Sequence, residues 1–543
     1  MDRNPESDLA TLRLIDAAAQ GGRLAEAAAL ADAAIADGLE HPLVFNLAAL
    51  QLEQRGQAAE AERLLQRAVN IAPRDIGLRN ALGLCLLRLE RPAEALAQFE
   101  VLLELNPSLP YAHASHGNAL LALGAIDQAE ADFHRSLAID PSQGVALAGL
   151  AHIASRRGAY PEARAWAERA LAMLPGFPDA VMSLAVAELG ERKIGQAKQR
   201  IQSLLSDSRL APLEHAYATG VLGDIFDAED RTTEAFEAYT RCNAELHRIY
   251  AGRFGAESSA LDYVRSMTGY FERARPQAWA SRAPSGANRS SPRGHIFLLG
   301  FPRSGTTLLE VILEGHPDVT SAEEKESLID SVREFMRRPE DLERLVQASP
   351  AALDSARAAY WRRVASTGVE AEGKIFVDKH PLNTLKLPLI ARLFPDAKII
   401  FACRDPRDIV LSCFRHRFEM SAAIYELLTL DGAARYYDAV MQLAVRLTGL
   451  LPLDVCLVRH EDLVTEFARE MKRICAFLGV EWTPGMKDFA ARTKKRGVLT
   501  PSTAQLVRGL NTEGLGQWRR YRTQMAPLLA ALDPWVKRFY YDT

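Results

Sequence analysis

Three stretches carry residues whose types and spacing suit the handling of oxyanions. In HIFLLGFPRSGTTLLE, residues 295–310, an apolar run ends at Gly300, a turn holds Arg303, Ser304 and Gly305, and Thr306-Thr307 open a helical pattern. Backbone N–H groups at a helix N-terminus carry partial positive charge and bind anions. Arg303 adds a full charge, and the hydroxyls of Ser304, Thr306 and Thr307 add donors. Gly300 and Gly305 have the glycine spacing of a nucleotide-hydrolase loop, but Thr306 stands where that loop needs its lysine. This makes a kinase or ATPase the weaker alternative. In AKIIFACRDPRDIVLS, residues 397–412, Arg404 follows a β-rich run and Ser412 lies two helical turns on, which places a second anion site at a strand's carboxyl end. The third stretch, KIFVDKHP at 374–381, ends in Lys379 and His380, and SAEEKESL at 321–328 adds the carboxylates Glu323, Glu324 and Glu326.

These residues need a scaffold, and the pattern from residue 295 onward supplies one. β-rich runs at 295–300, 374–378, 397–403 and 454–459 alternate with helical segments, predicting a buried parallel sheet with helices on both faces. The first half has a different texture. Pro73, Pro107, Pro141 and Pro175 are 34 residues apart, and Ala61, Ala95, Ala129 and Ala163 keep that step. Gly56, Gly124 and Gly158 share it, with Glu90 where a further glycine would fall. A turn residue, a small residue that lets helices approach, and a proline that stops the second helix repeat together. This resembles the tetratricopeptide repeat, two antiparallel helices per unit, and about six pairs are expected. Residues 273–293, rich in Pro, Ser, Gly and Arg, read as an exposed linker.

The motif FPRSGTTLL followed by HPDV resembles the phosphosulfate loop of sulfotransferases, especially the tyrosylprotein sulfotransferase-like branch. The similarity covers roughly residues 294–541, and the repeats resemble those of bacterial proteins that fuse them to such a domain. The resemblance implies the co-substrate 3′-phosphoadenosine 5′-phosphosulfate and no metal. Arg303, Ser304, Gly305, Thr306 and Thr307 would bind its phosphosulfate end. Arg404 and Ser412 would bind its 3′-phosphate, and RDPRDIVLS matches the family closely. It also implies that Lys379 stabilises the transition state with Arg303, and that Glu324 is the base, with His380 as its rival. His316 is read as structural. His460 stands where a tyrosine often contacts the donor, Thr503 matches a donor-contacting serine, and Gln517 replaces a lysine. Arg519, Arg520 or Arg508 would supply that missing cation. Glu326 occupies a position that the tyrosine-specific branch fills with arginine, which weakens the case for acidic peptide acceptors.

The expected organisation is multidomain. An all-α tetratricopeptide solenoid spans 1–255, a helix end and Pro/Ser/Arg-rich linker spans 256–293, and an α/β sulfotransferase domain with a P-loop-like turn and a parallel sheet spans 294–543. Formal net charge of −4, with 25% charged and 48% hydrophobic residues, gives no global field for nucleic acid. No apolar run reaches eighteen residues, so no membrane span is expected. Six scattered cysteines, without a C-x-x-C pair, fit buried thiols in a reducing, cytoplasmic and bacterial setting. Acceptors open to such an enzyme are a peptide, a sugar or a small-molecule hydroxyl. The concave face of the repeats would take a protein partner, or a second copy of the chain. The remaining alternative is a non-catalytic adaptor whose nucleotide domain is a relic.

Overall fold

The computed structural model describes residues 5–255, 259–280, 292–496, 506 and 509–541. It divides into two compact units, residues 1–155 with 159–193, and residues 156–158 with 194–543. Fourteen helices lie between Pro5 and Phe254, where about six pairs were expected. The 34-residue step accounts for their form. Gly22, Gly56, Glu90, Gly124, Gly158 and Arg192 all take positive φ, so the turn keeps its left-handed residue even where glycine is replaced. Ala27, Ala61, Ala95, Ala129 and Ala163 are fully buried on the second helices. Those helices end at Ile71, Leu105, Ile139 and Met173, two residues before each repeating proline.

The second unit contains a five-stranded parallel sheet in the order β2-β3-β1-β4-β5. Its strands are β1 (Gly294–Gly300), β2 (Val319–Ser321), β3 (Ile375–Lys379), β4 (Lys398–Cys403) and β5 (Asp454–Arg459). Alternation sorts each strand between two cores. Phe297, Leu299, Phe376, Ile399 and Phe401 face helices Ala260–Arg273, Leu430–Leu450 and Arg522–Arg538. Ile296, Leu298, Val377, Ile400 and Ala402 face helices Thr306–Leu313 and Phe467–Leu478. Both faces are thus covered, as a parallel sheet requires.

Two features depart from the expectation. β2 is a three-residue strand, VTS, too short to show a period. Residues 259–280, expected to be a helix end and exposed linker, form helices Ala260–Arg273 and Pro276–Ala280. Leu261, Val264, Met267, Phe271 and Trp279 from this stretch are buried in the first of the two sheet cores. Apolar residues at helical spacing outweigh the prolines and arginines around them. Residues 194–254 belong to the compact unit that holds the sheet, so their helices fold with it.

Candidate active site

Every strand of the sheet delivers site residues at its carboxyl end. After β1, the chain turns through Phe301-Pro302-Arg303-Ser304-Gly305 into helix Thr306–Leu313. Arg303 sits at φ +69 and Gly305 at φ +99. A side chain at Gly305 would meet His460 Nδ1 at 2.7 Å, so glycine is needed both for its φ and for space. Arg303 Nε donates to Ser412 Oγ at 2.9 Å, which joins the β1 loop to helix Pro406–Arg415 after β4. Burial, with Arg404 nearby, pulls the Arg303 guanidinium down to about 10, still charged at neutral pH. Arg404 donates to the carbonyls of Arg303 and Gly514 and lies 3.9 Å from Asp408.

Arg303, Gly305, Arg404 and His460 line a cleft, closed on another side by Leu506, Gly509, Leu510, Asn511 and Gly514. Burial, then the neighbouring Arg404 and Arg303, hold the His460 imidazole down to about 3, so it is neutral. Ser304 Oγ, Arg404 Nε and His460 Nδ1 are buried without a hydrogen-bond partner among the described residues. Buried polar atoms left unpaired cost roughly 1–3 kcal/mol each, so the two on cleft-lining Arg404 and His460 mark a binding site.

A second cluster lies at the ends of β3 and β2. Lys379 is fully buried, with Nζ 2.8 Å from Glu324 Oε1 and 3.1 Å from Glu310 Oε2. Burial opposes its charge, but the two carboxylates win and hold its pKa above the ordinary lysine range. Burial raises Glu310 to about 7, with Lys379 pulling it partly back. For Glu324, burial is more than offset by Lys379, His380 and Arg303, so its carboxyl stays below the ordinary range. Glu326 is also lowered, its burial outweighed by His380 at 3.0 Å and by Lys386. Asp378 turns away from Lys379, accepting from Tyr360 at 2.7 Å and Asn383 at 3.0 Å.

Residues 295–484 match the Sulfotransferase family profile, and residues 1–39, 52–118 and 115–178 match Tetratricopeptide repeat profiles. The C-terminal domain is a sulfotransferase-family domain. Protein-tyrosine sulfotransferase 1 of Danio rerio is 28% identical over 265 residues, covering 44% of this chain and 72% of that protein. A protein of Aquifex aeolicus named only as uncharacterized is 27% identical over 272 residues, which are 47% of this chain. The chain therefore spans only 35% of that relative's length. The sulfotransferase domain of the Synechococcus PCC 7002 olefin synthase is 24% identical with a TM-score of 0.36, covering 48% of this chain and all of that one.

Within the sulfotransferase domain, Arg303, Gly305, Arg404 and His460 meet at one cleft. Ser412 reaches it through Arg303, while Ser304, Thr306 and Thr307 lie buried in the loop and first helical turn. Lys379 and Glu324 form one ion pair. Arg519 is exposed and lies over Trp518, 5.2 Å from the ring, and Arg520 is bound to Asp227 and Asp230. Thr503 and Arg508 lie outside the described residues. Arg407 forms a buried pair with Asp405 at 2.7 Å, and His316 Nδ1 accepts from the Asp318 N–H at 3.1 Å, both structural roles. Sequence reasoning missed Glu310, whose only signal is one carboxylate inside the otherwise apolar TTLLEVIL helix. It also missed Asp408, which binds the N–H groups of Gly516 at 2.7 Å and Trp518 at 2.9 Å.

Proposed function

We propose that this chain moves a sulfuryl group from 3′-phosphoadenosine 5′-phosphosulfate to an acceptor hydroxyl. The observation that carries the reading is the cleft, where two arginines converge and where Arg404 and His460 each keep an unpaired buried nitrogen. A ligand with anionic groups at both ends would satisfy them. Loop residues 303–307 would hold its phosphosulfate end, and Arg404 with Ser412 its 3′-phosphate. When bound, this co-substrate supplies a sulfuryl group already attached to a good leaving phosphate.

The chain's own residues do the rest. Glu324 is 42% exposed and ionised at neutral pH, so it can meet an acceptor hydroxyl and take its proton. Its low basicity fits a late transfer, after the acceptor oxygen has become acidic. Lys379 and Arg303 place positive charge where negative charge builds up. The carboxylates of Glu324 and Glu326 weigh against a strongly acidic acceptor, while the names of the animal relatives make protein tyrosine the first acceptor to try. The repeats would dock that acceptor or a partner protein. Cross-linking of the full chain to a turned-over acceptor that finds no contact on residues 5–193 would remove the docking role.

The test is transfer from radiolabelled donor to tyrosine peptides, sugars and phenols. Glu324→Gln should lower turnover by roughly 10²–10⁴, the usual worth of a general base. If both Glu324→Gln and Lys379→Met leave turnover unchanged, the proposed mechanism fails. If His380→Asn abolishes it while Glu324→Gln does not, His380 is the base.

A further inference from the structure

Helices Pro212–Ala228 and Thr232–Phe254 belong to the same compact unit as the sheet. Asp227, near the end of the first, grips two elements: helix Pro406–Arg415, which reaches the cleft through the Ser412–Arg303 bond, and the segment 509–521, which lines it. Its carboxylate accepts from Arg415, the last residue of helix Pro406–Arg415. It also accepts from Arg520 at 2.9 Å and from the Tyr521 hydroxyl at 2.6 Å. The Asp227 carbonyl takes another Arg520 bond at 3.0 Å, and Asp230 takes one at 2.8 Å. Arg415 lies over the rings of Tyr239 and Tyr521, at 5.5 and 5.3 Å.

Arg415 ends a helix bonded to the cleft residue Arg303, and Arg520 lies near the end of a segment that lines the cleft. Three residues before Arg415 is Ser412, the partner of Arg303. The segment 509–521 lines the cleft through Gly509, Leu510, Asn511 and Gly514. It is tied to Arg404 at Gly514, to Asp408 at Gly516 and Trp518, and then to Asp227 at Arg520 and Tyr521. The Asp227 side chain is only 16% exposed, so these charge-assisted bonds are little weakened by solvent. One carboxylate thus bridges the helix that carries Ser412 and the segment that lines the cleft.

We propose that Asp227 is a positioning residue for donor binding, holding helix 406–415 and segment 509–521 together from outside the sulfotransferase profile match. The proposal rests on the cleft being the donor site. Asp224, three residues earlier, provides the internal control. It accepts from Arg417 and from the Tyr239 hydroxyl at 3.0 Å, a comparable ion pair that does not involve segment 509–521.

The test compares full-length wild type, Asp227→Asn and Asp224→Asn by titration with adenosine 3′,5′-bisphosphate and by amide exchange at residues 514–521 without ligand. Asp227→Asn should weaken binding about tenfold, the effect of one charge-assisted bond, and speed exchange in the segment. Asp224→Asn should leave both close to wild type. Equal effects of the two variants, or none from Asp227→Asn, would overturn the proposal. Should Asp227→Asn not fold, Tyr521→Phe removes one bond to the same carboxylate and is expected to move both readouts the same way, by less. If wild type does not bind the bisphosphate, the donor reading falls, and the exchange comparison alone decides whether Asp227 holds the segment.

Discussion

Replacing Lys379 by methionine is expected to cost stability as well as turnover, and the size of the loss follows from the site. Methionine keeps most of the volume and removes the charge, stranding Glu324 at 2.8 Å and Glu310 at 3.1 Å from the former ammonium. Removing one partner of a buried ion pair costs about 3–5 kcal/mol. Glu324 is 42% exposed and can turn to water, but Glu310 is 2% exposed and cannot. At about pH 9, where Glu310 is ionised beside Lys379 but must take up a proton without it, the loss should lie near the lower end, about 3 kcal/mol, and should trace to Glu310. Adding Glu310→Gln to Lys379→Met should then recover most of the stability and none of the turnover. Adding Glu324→Gln instead should recover little. Urea unfolding followed by tryptophan fluorescence reads this directly, since five of the six tryptophans lie in residues 194–543. A Lys379→Met protein as stable as wild type would refute the reasoning, and so would a double variant no more stable than Lys379→Met alone.

Other expectations follow from the same geometry. Burial holds Glu310 up to about 7 against an ordinary 4.5, so between those values the folded protein keeps a proton that the unfolded chain releases. Its contribution is present below about pH 4.5 and lost as pH rises through 7, so urea midpoints of Glu310→Gln should gain on wild type across that window. A flat difference would contradict the burial of that carboxylate. Gly305→Ala forces a side chain into φ +99 and against His460, and should weaken adenosine 3′,5′-bisphosphate binding at least about tenfold by titration. Glu90→Gly relieves a left-handed residue at φ +55 in a repeat turn, and calorimetry should show the repeats stabilised by about 1 kcal/mol.

Much of this was legible in the chain. Four strands are runs of β-branched and aromatic residues, and the loop at 300–307 shows its role in its own composition. The repeat step was strong enough to mark Glu90 as a turn residue in a glycine position, and its φ is that of its glycine counterparts. What escaped was pairing between distant residues. Nothing local says that Glu310 meets Lys379, because only the parallel pairing of β1 with β3 brings the helix after one to the end of the other. The stretch at 323–326 offered candidate carboxylates but not their partners, and tertiary contacts send Glu324 to Lys379 and Glu326 to His380 and Lys386. The short helix Pro276–Ala280 hid behind the linker composition of 273–293, since one buried residue, Trp279, suffices to dock it.

Calorimetric titration of the full chain with adenosine 3′,5′-bisphosphate, wild type against Arg404→Ala, tests the donor site most directly. Saturable binding by wild type is predicted, weakened roughly ten- to a hundredfold by loss of the guanidinium, as for a charged hydrogen-bond donor removed from a phosphate. A folded wild type that does not bind, or an Arg404→Ala protein that binds equally well, would contradict the account.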